Sequence, residues 1–426
     1  MVAEIVALFN TLFDAQGVVA LAREVGAVVR LRNIRPLEFC TALTSCALGD
    51  EIRSIATARR KYNNITGYMP EESSFYDRFT DGMVALLQRL FRRALDACTE
   101  EHRQSLAKLL GSAGILDMLA VDGSQVTLPA SASKVLPSTC DEHGGFKVTA
   151  ILSVLYQNLV GVQITDARTH DRKAWKLQRW LHGLLFLFDR GYSDYKLFAD
   201  IDDRKGFFLT PLKKSTRPVI SAIRSGIGKM HVGAILDRAL LPCRGVVDLD
   251  AVFKPKGRPA KTFRVVRLRV PSRQSGATTP FTDIWLVTNL PITLFTVEQL
   301  CLAYRFRWEV EYLFKVLKTV GRLDHLKSQS LPVIGCFIFA TLLGLALSQD
   351  ICARMRRHRP ELEPSLMRVN MLLLGYFPAL AEAASAGSLG AVAERFVDAL
   401  WREGTNPNPG RPYRSSQYAA EISAGV

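Results

Sequence analysis

The stretch LLFLFDRGYSDYKLF (Leu184–Phe198) opens with five large apolar residues in a row and stops at an aspartate. A run this short and this apolar reads as a strand buried on both faces rather than as a helix. The Asp-Arg-Gly that follows ends the strand, and SDYKLF continues as a helix. A buried strand that delivers a carboxylate to its own C-terminal end is therefore the point from which the rest of the chain is read.

Working outward, GFFLTPLKK (Gly206–Lys214) is a further short strand. Upstream, ILDMLAVDGSQVTLP (Ile115–Pro129) is a strand carrying Asp122. FKVTAILSVLY and LVGVQITDA are two more, joined by a tight turn at Gln157–Asn158. THDRKAWKLQRWLHG (Thr169–Gly183) has helical spacing. The order is three strands, helix, strand, helix, strand. That order is the one found in an α/β ribonuclease-H-like core, a mixed sheet with helices against it. GVVDLDAVF, KTFRVVRLRV and TDIWLVTNL, with KPKGRPAK as a loop between the first two, read as a mostly β insertion. Residues 1–110 read as a helical N-terminal region. The expected divisions are 1–110, a first catalytic segment at 111–212, a basic β-rich insertion at 213–295, a second catalytic segment at 296–350, and a polar, loop-rich C-terminal tail at 351–426. The N-terminal region is a candidate for a DNA-binding helix-turn-helix, a weak pattern at near-balanced charge.

The chain has 426 residues and a net charge of +15. Residues 204–273 contain 17 lysines and arginines against three acids, while the remainder is balanced at 38 against 37. A concentrated excess of this kind suggests a polyanionic partner. Lys254, Lys256, Arg258 and Lys261 in the KPKGRPAK loop are the candidate contacts. The eight cysteines include no Cys-x-x-Cys pair, which fits a reducing cytoplasm with buried thiols. Glu4 and Asp14 interrupt the N-terminal apolar run, so no signal peptide is expected. LPVIGCFIFATLLGLAL (Leu331–Leu347) is near the minimum length for a membrane span, but Pro332 and Thr341 favour a buried core helix and no membrane partner.

Asp122 and Asp189 each interrupt or end an apolar strand. A carboxylate in such a place costs several kcal/mol unless it is paired or holds a cation. Asp122 could instead cap the turn at Gly123, and Asp189 could pair with Arg190. Together with a helix-borne Glu311 they offer oxygen-only ligands suited to Mg²⁺ or Mn²⁺. Two such ions can activate one oxygen and stabilise another in phosphoryl transfer.

YRFRWEVEYLFKVLK (Tyr304–Lys318) reads as one helix. With Tyr304 at zero, Arg307, Glu311 and Lys318 fall at about 300°, 340° and 320°. Phe306, Val310, Leu313 and Leu317 fall between about 180° and 240°. The apolar stripe would pack on a core. The polar stripe is open to two readings, a solvated face or a line of functional groups.

DGS at Asp122, DRGY at Asp189 and the spacing Tyr304-x2-Arg307-x3-Glu311-x6-Lys318 resemble the DDE transposases of bacterial insertion sequences, specifically the insertion-sequence-four family. SSFYDRF, ITDARTHDRKA and WLVTNLP are similar to that family as well, so the resemblance covers about residues 70–350. It implies a catalytic core with a β insertion ahead of the glutamate helix. It implies a metal-binding triad of Asp122, Asp189 and Glu311 with two Mg²⁺ or Mn²⁺ ions. It implies transposon-end contacts from Tyr304, Arg307 and Lys318, and a homodimer on double-stranded DNA, with both transposon ends and target DNA as substrates. Two further readings remain open: a metal-dependent nuclease of the same fold that cuts without joining, and a DNA-binding protein that has lost activity. The chain departs from the pattern at one place. Some relatives stack a flipped base on a tryptophan four residues before the threonine of WLVTN, whereas Trp285 is three before Thr288 and Ile284 holds the expected position. A one-residue offset reverses strand facing, so Trp285 is expected in the core. His170 and Asp171 are candidates for supporting the carboxylates or for starting a helix.

Overall fold

The computed structural model describes residues 1–30, 33–48, 54–97, 104–139, 142–170, 181–226, 230–237, 246–271, 281–319, 326 and 328–408. The N-terminal part is helical: α1 (Val2–Phe13), α2 (Ala15–Glu24), α3 (Pro36–Leu48), α4 (Ile55–Thr66), α5 (Glu72–Tyr76), α6 (Asp81–Asp96) and α7 (Gln104–Ser112). Local chemistry sets their ends. The Asp14, Ser54 and Thr80 side chains each accept a first-turn amide of α2, α4 and α6. Gly67 closes α4 in the left-handed conformation.

The α/β part follows as β1 (Asp117–Leu128), β2 (Gly144–Ser153), β3 (Asn158–Asp166), β4 (Leu184–Phe188), α8 (Tyr195–Asp203) and β5 (Phe207–Pro211). The strand order expected from the sequence is present. The helix expected at Thr169–Gly183 falls largely on residues 171–180, outside the described residues, as does Asp171. Next come β6 (Val219–Ser225), β7 (Val247–Phe253), β8 (Lys261–Pro271) and β9 (Phe281–Thr288). The nine strands among the described residues join one sheet in the order β3-β2-β1-β4-β5-β9-β8-β7-β6. β1, β4 and β5 are parallel, and β9 adds antiparallel to β5. The basic segment thus extends the sheet, because β9 takes the free edge of β5 and carries β8, β7 and β6 with it. β6 was not read from the sequence.

Side-chain alternation divides the sheet into two faces. Met118 and Ala120 of β1, Leu185 and Leu187 of β4, and Leu286 of β9 join a core shared with the helices. Leu119, Val121, Phe186, Phe188 and Val287 join a second core under α8, with Leu197, Phe198 and Ile201.

The first face is covered by α9 (Val297–Arg305), α10 (Trp308–Thr319) and α11 (Leu331–His358). Thr296 and Gln299 form a reciprocal capping box that starts α9. Tyr304–Lys318 is not one helix. The ladder tightens at the break: the Phe306 amide bonds to the Ala303 carbonyl, Arg307 to Tyr304 and Glu309 to Phe306. These are three-residue steps in place of four. No proline or glycine forces the break. It coincides with Arg307 turning inward onto two carboxylates. The apolar stripe does pack as expected, with Phe306, Val310, Leu313 and Leu317 all buried.

The tail expected to be loop-rich is helical over much of its length. α12 (Leu366–Ala386) and α13 (Gly390–Glu403) return to pack on the N-terminal helices, where Phe377 meets Phe9 and Phe13. LMRVNMLLLGYF and GAVAERFVDALW carry the helical apolar period that these two helices express. Val2–Glu24, Leu331–His358 and Leu366–Ala386 are each long and apolar enough to cross a membrane. In α11, 78% of the apolar window is buried inside the protein. Gly335 makes room there for Val84 of α6, since a Cβ at this position would lie 2.9 Å from a Val84 methyl.

Candidate active site

The register Ala120↔Leu187 and Val121↔Phe188 sets β1 and β4 side by side, so Asp122, midway along β1, and Asp189, just past the end of β4, continue the same step beyond the last parallel pair. By alternation both project to the face that carries α9 and α10. Sequence spacing alone could give each strand an acid. The parallel register makes them neighbours.

Each aspartate is held by local amides. Asp122 Oδ1 accepts the Gly123 amide at 2.8 Å, which is the turn contact foreseen as the alternative role. Asp189 Oδ1 accepts the Gly191 and Tyr192 amides at 2.7 and 3.3 Å rather than pairing with Arg190. Thr210 of β5 donates to the Asp189 carbonyl at 3.2 Å and fixes the backbone. One carboxylate oxygen on each aspartate is thereby kept for other partners.

α10 delivers the third acid. Arg307 stands between the carboxylates, donating through Nη1 to Asp122 Oδ2 at 3.3 Å and through Nη2 to Glu311 Oε1 at 2.5 Å. Its Nε donates to the Tyr304 hydroxyl at 3.1 Å. Burial pushes the Asp122 carboxyl up to about 6; the Gly123 amide and Arg307 oppose the rise, and Asp189 and Glu311 add to it. Burial also lifts the Tyr304 phenol to about 12, against Arg307. For Arg307 burial works against the charge, but Tyr304, Glu311 and Asp122 outweigh it and hold the guanidinium above its ordinary range. This is one electrostatic unit of three acids, one phenol and one guanidinium.

Tyr304, Arg307, Asp122, Asp189 and Glu311 are thus brought together. Lys318 is exposed on α10, two turns beyond Glu311 and on the same side of that helix. The four loop cations divide into two pairs. Arg258 is ion-paired with Asp200 and Asp203, and Lys261 with Asp202 and Asp203 at 2.7 and 2.6 Å. Lys254 and Lys256 are exposed. Neutralisation runs through the basic block: Arg224 binds Asp248 and Asp250, Arg264 binds Asp248, and Arg269 binds Asp283. Trp285 packs against the core under α8, with Arg267 over its ring at 5.7 Å. It lies on the face opposite the carboxylates, as its offset implied, while Ile284 packs on the carboxylate side. His170 is exposed near Lys196 and Lys213, two residues the sequence reading did not single out although YSDYK and PLKK flank Asp189 closely in the fold.

The sequence pattern of the transposase DDE domain matches residues 115–347, more than half of the chain and the whole span that builds these carboxylates. The chain belongs to the DDE transposase family. Among individual relatives, the transposase for insertion sequence element IS421 of Escherichia coli is 38% identical over 68 residues, which is 16% of this chain and 18% of the relative. The transposase for IS1151 of Clostridium perfringens is 30% identical over 97 residues, 22% of this chain and 20% of the relative. The transposase for IS231F of Bacillus thuringiensis subsp. israelensis is 19% identical over 374 residues, 79% of this chain and 77% of the relative. The chain therefore matches about a fifth of the length of the first two and most of the third.

A DDE transposase domain implies divalent-metal chemistry in general. The donor set of Asp122, Asp189 and Glu311 fits a hard cation, since every ligand atom is a carboxylate oxygen. Among the described residues no trio of His, Cys, Asp or Glu closes around a single ion. Arg307 holds the place between Asp122 and Glu311, where it supplies the positive charge.

Proposed function

We propose that this DDE transposase moves a bacterial insertion sequence of the insertion-sequence-four family, with Tyr304, Arg307, Glu311 and Lys318 as its Tyr-Arg-Glu-Lys signature. It binds the terminal inverted repeats, cuts the DNA and joins the freed 3′ ends to target DNA. The observation that carries this reading is the placement of Asp122 beside Asp189 on parallel strands, with Glu311 linked to Asp122 through Arg307.

Asp122, Asp189 and Glu311 are the residues that hold the cations, two Mg²⁺ or Mn²⁺ ions. When bound, these ions supply activation of the attacking oxygen and stabilisation of the leaving oxygen. The protein's own groups position the DNA. A phosphodiester entering over α10 meets the Arg307 guanidinium, which can hold a phosphate in a fork, and the Tyr304 hydroxyl beside it. Lys318 grips the backbone further along the same helix face. Water attacks the phosphodiester first and the strand leaves as a 3′-hydroxyl. That hydroxyl then attacks a target phosphodiester in the same way, with no protein–DNA covalent bond.

Lys254 and Lys256 add DNA contacts from the basic loop, and Arg258 and Lys261 support them by anchoring the loop to α8. The catalytic segments are 111–212 and 296–350, with 213–295 as the insertion. The N-terminal helices, excluding the almost wholly buried α3, contribute to end recognition. The protein acts in the bacterial cytoplasm as a homodimer on DNA, since two ends must be held together, and needs no membrane.

The test is incubation of the purified protein with duplex DNA carrying both flanks of its own gene and Mg²⁺, followed by mapping of ends and joints. Cuts at inverted repeats with 3′-hydroxyl ends, and joints to target DNA, are expected. Cuts without joints would make it a nuclease, and binding without cuts would make it an inactive DNA-binding protein.

A further inference from the structure

On the α8 side of the sheet, across from α10, an open cleft of about 950 Å³ begins immediately after Asp189. Its lining includes Ser193, Lys196, Lys213, Lys254 and Lys256. Four ammonium groups from three separate chain segments converge here, although elsewhere in the basic region most of the described arginines are neutralised by aspartates. Asp194 also lines the cleft, but its carboxylate caps α8 through the Lys196 amide at 2.8 Å. The N-terminus of α8, nine residues long, opens into the same space and adds partial positive charge.

Two details show that the cleft is built rather than incidental. The β7–β8 hairpin that carries Lys254 and Lys256 is clamped to α8 by Arg258 and Lys261, through Asp200, Asp202 and Asp203. The clamp uses up the two cations nearest α8 and fixes the tip lysines over the cleft. In addition, Ser193 is buried at 8% exposure, and its hydroxyl has no hydrogen-bond partner among the described residues. A hydroxyl in a lysine-lined wall is suited to a phosphate oxygen.

We propose that this cleft holds the phosphate backbone of the duplex on the far side of the scissile bond from the transposon end. Asp122 and Asp189 lie where the β1–β4 pairing ends, between two positive tracks, Arg307 and Lys318 on the α10 side and the four lysines on the α8 side. DNA that crosses the carboxylates must leave over the second track. Before cleavage that arm is the donor flank, and at joining it is target DNA; the chemistry recognised is the same. This inference rests on the transposase reading given above.

The experiment compares wild type with the triple variant Lys196→Ala, Lys254→Ala, Lys256→Ala. Lys213 is left in place because it donates to the Ser193 carbonyl at 2.9 Å and supports the wall. Three duplexes are used: a transposon end with its flank, the same end already cut, and target DNA offered to the cut end. Failure of wild type to cut the flanked end would remove the transposase reading itself. Given wild-type cutting, the variant should bind the flanked end roughly tenfold or more weakly, with the slope of log affinity against log salt smaller by about 2 to 3. Its binding to the cut end should be unchanged. A loss confined to flanked-end binding assigns the cleft to the donor flank, and a loss confined to joining assigns it to target DNA. Either supports the proposal. Lys254→Arg, Lys256→Arg should restore binding, which separates charge from folding. Equal binding of both ends and equal joining by a variant that melts like wild type would overturn it.

Discussion

Arg307 and Glu311, four residues apart across the start of α10, are joined at 2.5 Å, and the same guanidinium reaches Asp122 at 3.3 Å. An i,i+4 pair is ordinarily a surface contact worth a few tenths of a kcal/mol. Here the arginine is buried and ties the glutamate helix to β1. Arg307→Ala leaves two carboxylates facing each other without a counter-charge, at a cost of about 1–3 kcal/mol. A divalent cation can take over that charge. Mn²⁺ should therefore raise the melting temperature of Arg307→Ala more than that of wild type. Equal shifts, measured by thermal unfolding with and without Mn²⁺, would mean that guanidinium and cation occupy separate places. Arg307→Lys should recover only part of the loss, because an ammonium cannot reach both acids as a fork.

The three carboxylates are proposed to share one task. Asp122→Asn, Asp189→Asn and Glu311→Gln should each abolish Mg²⁺-dependent cleavage and leave end binding largely intact. Gel-shift and single-turnover cleavage on the same DNA separate the two effects. Cleavage that survives in any one variant removes that residue from the set.

Much of this arrangement was legible in the sequence, and the losses have physical causes. The apolar runs around Asp122 and Asp189 reported strands directly, and period-2 alternation placed Trp285 on the far face. The break at Phe306–Arg307 was not legible, because the apolar period survives it: Phe306 and Val310 stay in the core on either side. Sheet order was not legible past β5, since nothing in TDIWLVTNL says which edge it joins. Charge counting says nothing of partners within the basic block for a similar reason. Arg258 and Lys261 meet acids 55 to 59 residues earlier in the chain, and only the fold makes them neighbours. Of the cleft lysines, Lys196 and Lys213 stand far in the chain from the KPKGRPAK loop, and only the fold brings them beside Lys254 and Lys256.

Trp285 offers a clean separation of packing from chemistry. Its ring lies in the core under α8, stacked by Arg267 and away from the carboxylates. Trp285→Ala should cost about 2–4 kcal/mol of stability, near the lower end for a large aromatic because the ring is only partly buried. Cleavage per folded molecule should match wild type. A stable variant that fails to cleave or form normal ends would return Trp285 to a role in handling DNA bases.

Asp117, five residues before Asp122 at the start of β1, gives a pH signature of the fold itself. Burial raises its carboxyl to about 6, against hydrogen bonds from Ser153, Met118 and Leu155. The folded state therefore holds a proton more tightly than the unfolded chain, whose aspartates titrate near 3.8. Between those values the native state binds more protons, so stability falls as pH rises. The contribution is fully present below about pH 4 and is lost as pH passes through about 6, a change on the order of 3 kcal/mol. Asp117→Asn carries no titrating proton and should lose this dependence, while the parallel dependence from Asp122 remains. The readout is the slope of unfolding free energy against pH between about 4 and 7, from urea unfolding of both proteins. The slope is indifferent to any fixed cost of placing an amide among those donors. Identical slopes in wild type and variant would show that Asp117 is charged in the folded protein throughout this range, with enough compensation at the foot of β1 to cancel its burial.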